Sequence, residues 1–144
     1  MKLWGNNMEI CQDKYNKYLE RVKQNGVVLE DVPKKYLTEE LVKIAVNQNG
    51  YSLQYVPVEY ITDELCNISV KQTGWSLKYV PKTYKTEELG KIAVQQTGYA
   101  LQYVPSEYLA EELIFMAQQT RLYYRHIPTV LATRIFRIYE TMGK

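Results

Sequence analysis

Side chains equipped for covalent or metal chemistry are scarce in this chain: His126 is its single histidine, and Cys11 and Cys66 are its two thiols. A lone imidazole and two cysteines without metal-ligand spacing supply neither a nucleophile–base pair nor a zinc site. Cys66 falls in a helical column that Val42, Gly90 and Ile114 occupy elsewhere, which marks both thiols as reduced bystanders in a cytosolic compartment rather than a disulfide. A phosphate-cradling glycine loop is also missing. We therefore expect a non-enzymatic protein with no cofactor, metal or small-molecule substrate.

What the chain offers instead is recognition chemistry. Nine of its 14 tyrosines fall in three recurring columns. Tyr51, Trp75 and Tyr99 form one column, and Tyr55, Tyr79 and Tyr103 form a second, with Lys78 beside them. On a helix these two columns would make a ridge of paired aromatics, and such ridges anchor partners because aromatic rings bury large area at low entropic cost. These seven residues are the candidate partner-binding site, and the partner expected is another protein. The third column, Tyr36, Tyr60, Tyr84 and Tyr108, is expected to pack its rings while its hydroxyls reach water.

A second candidate lies near the C-terminus, where Arg121, Arg125, Arg134, Arg137 and Lys144 face Glu140 alone. Arginines interleaved with Tyr123, Tyr124 and His126 suit phosphate gripping and base stacking, so nucleic-acid or ribonucleoprotein binding is the alternative function. The overall charge of +2 is small for that role.

The elements that must position these residues come from four copies of one phrase, VVLEDVPKKYLTEEL, YSLQYVPVEYITDEL, WSLKYVPKTYKTEEL and YALQYVPSEYLAEEL. Their prolines are Pro33, Pro57, Pro81 and Pro105, a period of 24 residues. A unit that short cannot close a core on itself, so neighbouring units must stack into a solenoid. Thr38, Thr62 and Thr86, each followed by two acidic residues, read as helix N-caps. Leu89, Ile92, Ala93 and Gln96 then recur at the spacing of one helical face, and Gly26, Gly50, Gly74 and Gly98 read as left-handed stops. Each unit thus predicts a helix of about 11 to 12 residues. The Gln24, Gln48, Gln72 and Gln96 column is expected to satisfy backbone groups at the helix end.

The segment Tyr51 to Val56 is ambiguous, because Leu53 and Val56 fit one face of a short helix while Tyr51, Leu53 and Tyr55 fit one face of a strand. Its six-residue length and Ala100 in the fourth copy favour the helix. The fold expected is an all-α solenoid, with an α/β horseshoe as the alternative. One domain spans 1–144: an N-terminal capping helix within 1–26, repeats at 27–50, 51–74, 75–98 and 99–121, and a degenerate repeat with a closing helix over 122–144. The opening helix groups Tyr15, Tyr18, Leu19 and Val22 and carries Lys14, Lys17, Arg21 and Lys23; the closing one is expected to turn Leu131, Ile135, Ile138 and Tyr139 inward and Arg134 and Arg137 outward.

The pattern L-x-Y-V-P-x-x-Y-x-T-E-E-L-x-x-I-A-V-x-Q-x-G-Y, running from roughly Val22 to Pro128, resembles a family of short tandem repeats catalogued as a domain of unknown function. That family occurs in intracellular bacterial pathogens, giant viruses and protists. The resemblance implies an all-helical array and host or mobile-element biology, and no activity. Asp31 in place of the first YVP tyrosine and Ala110 in place of the capping Thr depart from the pattern. With no apolar run long enough for a membrane span and no apolar h-region in MKLWGNNMEICQD, the expected location is cytoplasmic, or inside a host cell reached without a signal peptide. An inhibitor or effector occupying a partner's surface fits these features.

Overall fold

The computed structural model describes residues 3–119 together with residues 133, 136, 137 and 140. Five α-helices, α1 (Leu3–Gln24), α2 (Glu39–Gln48), α3 (Asp63–Gln72), α4 (Glu87–Gln96) and α5 (Glu111–Gln119), stack in chain order. Between successive α-helices lie a long 3-10 helix and a short one. The long ones, Gly26–Asp31, Gly50–Tyr55, Gly74–Tyr79 and Gly98–Tyr103, stack on one another as a second layer. The short ones are Lys34–Tyr36, Val58–Tyr60, Lys82–Tyr84 and Ser106–Tyr108. No strand occurs among the described residues, so the all-α reading holds and the horseshoe alternative does not.

Local chemistry sets the α starts as the residue types require. Thr38, Thr62 and Thr86 accept from the backbone N–H of Leu41, Leu65 and Leu89 at 3.1, 3.2 and 3.2 Å, with two carboxylates in each first turn. Each helix then runs ten residues, slightly shorter than the spacing predicts. The residue after it, Asn49, Thr73 or Thr97, swings to extended backbone and hands the chain to the next 3-10 helix.

The glycines that follow are not left-handed stops: none has a positive φ. Their role is close approach. A Cβ on Gly26 would sit 2.1 Å from the Ala45 carbonyl oxygen, one on Gly50 2.5 Å from that of Ser69, and one on Gly74 2.6 Å from that of Ala93. Each glycine therefore lets the start of a 3-10 helix press against the α-helix that follows it. The small residues in the facing column make the same contact possible from the other side, and Ser69 Oγ donates to the Gly50 carbonyl at 2.9 Å.

A 3-10 helix has three residues per turn, so i and i+3 eclipse. Gly50, Leu53 and Val56 accordingly share the buried face, and so do their counterparts through Leu77 and Val80, and Leu101 and Val104. These side chains meet Leu41, Leu65, Leu89 and Leu113 from the α layer in one continuous core. After Val56, Pro57 opens the tight turn that its fixed φ favours, with Tyr60 N–H donating to the Pro57 carbonyl at 2.9 Å.

Interrepeat bonds complete the stack. Gln96 Nε2 donates to the Val70 and Lys71 carbonyls at 2.9 and 2.8 Å, while its Oε1 accepts from Gly74 N–H at 2.8 Å. Gln72 Nε2 reaches the Asn47 carbonyl in the same way. The glutamines thus serve helix ends as expected, but those of the preceding repeat. Tyr60 and Tyr84 hydroxyls donate to the Leu37 and Ile61 carbonyls of the preceding repeat at 3.1 and 3.3 Å, where the spacing suggests they reach water. At the N-terminal end α1 takes the place of a preceding repeat, burying Val22 with Tyr15, Tyr18 and Leu19 packed around it.

Candidate functional site

The eclipsing of i and i+3 separates the two aromatic columns that α-helical spacing would place together. Tyr51 aligns with Gln54, Trp75 with Lys78, and Tyr99 with Gln102; Tyr55 aligns instead with the buried Ser52. Tyr55, Tyr79 and Tyr103 are half-buried and pack against the core. Tyr51, Trp75 and Tyr99 stand on the outer side of the layer, where Tyr51 is 37% exposed and Gln54 and Lys78 are exposed beside it.

Trp75 joins the two columns. Its ring stacks on Tyr99 with centroids 5.7 Å apart at 26°, and tilts over Tyr103 at 6.2 Å and 56°. Lys78 Nζ lies 5.5 Å from the ring of Tyr79, within cation–π range. Partial burial pushes the Tyr55 hydroxyl above the usual phenol range, and its hydrogen bond to Glu30, the Glu30 charge and Tyr79 act in the same direction. All seven sequence-predicted residues therefore lie on one layer: Tyr55, Tyr79 and Tyr103 pack against the core, Trp75 and Tyr99 stack on each other, and Tyr51 and Lys78 are exposed. Their aromatic run spans three consecutive repeats.

Of the C-terminal arginines, Arg137 is helical and exposed, whereas Arg121, Arg125 and Arg134 lie outside the described residues, as do Leu131, Ile135, Ile138 and Tyr139. Sequence reasoning singled out neither of two clefts. One, of about 390 Å³, runs from Lys82 and Lys85 to Glu107 beside Tyr103. Its signal was present: Lys85 interrupts the apolar column of Leu37, Ile61 and Leu109, and burial pushes its ammonium below the usual lysine range while Nζ donates to the Tyr103 carbonyl at 3.1 Å. The other, of about 340 Å³, lies between α1 and Lys34–Tyr36. Val58 and Phe115, 75% and 61% exposed, are large apolar side chains in columns that hold lysine elsewhere.

Cys66 is fully buried, and its thiol is pushed up to about 11 by desolvation first and by Asp63 second, so it is protonated at neutral pH. Among the described residues no three His, Cys, Asp or Glu side chains are grouped to hold a metal ion, and no helix is long and apolar enough to cross a membrane.

No curated protein and no solved structure matches this chain. A family model does match, over residues 17–61 and 62–109, each segment covering about two of the stacked units and the pair together most of the described array. With its tandem all-helical units and that match, the chain belongs to the family described as Domain of unknown function (DUF4116).

Proposed function

We propose that the array is a non-enzymatic protein-binding module, an inhibitor or effector whose partner docks on the outer face of the long 3-10 helices. The observation that carries this reading is the stack of Trp75 on Tyr99, which makes a continuous aromatic surface from rings of two different repeats. Tyr51 holds the same position one repeat earlier and is exposed, and Gln54, Lys78 and Gln102 follow the three aromatics by one 3-10 turn. Large, rigid rings with adjacent polar groups suit a hot spot, and the backbone beneath is held by the stack whatever the outer residues are. Tyr103 supports the ridge through its contact with the Trp75 ring, and Tyr55 and Tyr79 pack against the core beside it.

The test is affinity capture from the native cell or its host, with the eluate treated with nuclease. The Trp75→Ala variant should lose partner binding by about 2 kcal/mol or more while its melting temperature moves little. Tyr55→Ala should lower both binding and melting temperature, since that ring also packs on the core. Retention of partner by Trp75→Ala, or its loss on nuclease treatment, would sink the reading; loss in Arg137→Gln together with nuclease sensitivity would put nucleic acid in its place.

A further inference from the structure

The geometry points to a binding site for a small ligand carrying two or more phosphate groups, in the cleft between α1 and the first short 3-10 helix. Lys14, Lys17, Tyr18 and Arg21 are spaced i, i+3, i+4 and i+7 and so share one face of α1. Packing sets Lys35 and Tyr36 opposite them, across a cleft of about 340 Å³, a volume in the range of small-ligand pockets. Four cations converge there and no carboxylate lines the walls.

Most of the positive charge in this cleft is uncompensated. Lys23, Lys34, Lys43 and Lys91 each pair with a glutamate, whereas Lys14, Lys17 and Lys35 have no ion-pair partner among the described residues. Only Arg21 is paired, with Asp31 at 3.1 Å. In later repeats the position of Lys35 is held by Glu59, Thr83 and Glu107, so the cleft is not a by-product of the repeat. Like charges gathered around one small volume repel until an anion fills it, and a multiply charged one matches three ammonium groups where a single carboxylate cannot.

The aromatic floor narrows the ligand class. Tyr36 is buried, its ring 5.5 Å from that of Tyr18, with Lys35 Nζ 5.0 Å above its centroid. Tyr36, buried and covered by Lys35, is not open to a stacking base. The two rings provide a low-dielectric base that strengthens attraction between the cations and phosphate oxygens. None of these residues belongs to the aromatic ridge, so the site stands independently of the protein-binding reading.

Isothermal titration of the full chain with inorganic pyrophosphate, and with orthophosphate in parallel, tests the site. Pyrophosphate should bind one to one and at least about tenfold more tightly than orthophosphate, and Lys17→Gln and Lys35→Gln should each weaken it by about tenfold, the worth of one hydrogen bond to a charged group. Lys43→Gln, on an exposed and already paired lysine, should leave it unchanged, with melting curves showing that all three variants fold. Soluble inositol trisphosphate and vesicles containing phosphatidylinositol bisphosphate then separate the sources: competition by the first marks a free ligand, and retention on vesicles alone marks a lipid headgroup. Absence of saturable pyrophosphate binding, equal affinity for the two anions, or equal loss in Lys43→Gln would overturn the proposal.

Discussion

Each α-helix from α2 to α4 satisfies its first turn with the threonine immediately before it, Thr38, Thr62 or Thr86, whereas the long 3-10 helices that begin at Gly50 and Gly74 also draw on a side chain of the α-helix that follows them. Gly74 N–H is met by Gln96, and the Gly50 carbonyl by Ser69. The α-helix starts thus rest on bonds within one turn, and the starts at Gly50 and Gly74 also on bonds about one period long. This difference explains where substitutions should be felt: in the α layer they act on one helix, and in the 3-10 layer they act on a junction.

The largest effect should come from Gly50→Ala, which would drive a Cβ to 2.5 Å from the Ser69 carbonyl oxygen. Backbone cannot rotate aside as a side chain can, so the repeats must part, at a cost of about 3 kcal/mol read by chemical denaturation. A small effect would break the comparison, since it would mean that the junction is loose. Gln96→Leu should cost about 1 to 3 kcal/mol, because two carbonyls and one N–H lose their partner together. Unchanged stability would show that water replaces the amide and that the junction does not depend on it.

Two substitutions in the α layer sharpen the contrast by being mild. Ala110 occupies the N-cap position of α5 without a side-chain oxygen, and Ala110→Thr should stabilise by about 1 kcal/mol in a thermal melt. The smallest change is expected from Gly90→Ala. A Cβ there meets only Val104 methyls at 3.3 and 3.4 Å, so the gain in helix propensity of about 1 kcal/mol is offset in part by local crowding. Gly50 recurs in every repeat whereas Gly90 stands in a column of larger residues, and a similar penalty for both would refute the distinction between the layers.

The aromatic ridge was legible only in outline. The columns of Tyr51 and Tyr55 were evident from spacing, but their separation into an outward and a core-facing set depends on three residues per turn instead of 3.6, and six residues are too few to reveal that period. The cleft of Lys14, Lys17, Arg21 and Lys35 joins two segments across a turn, and charge along α1 alone reads as a solvated face. Lys85 is the exception, because a charged residue in an otherwise apolar column is visible before any folding.

The period, the threonine starts of the α-helices, the helical class and the need for units to stack were determined by the sequence alone, since caps and faces follow from spacing within a turn or two and the need to stack from the shortness of the unit. Only the tertiary structure decided what the glycines, glutamines and tyrosine hydroxyls are for. Gly50 excludes a Cβ from the path of α3, Gln96 reaches carbonyls in α3 and Tyr60 reaches the Leu37 carbonyl, and all three partners lie roughly one repeat away. A residue type announces what it can donate, accept or leave empty; the neighbour that it meets depends on how the repeats stack, and that is set by packing of the whole array.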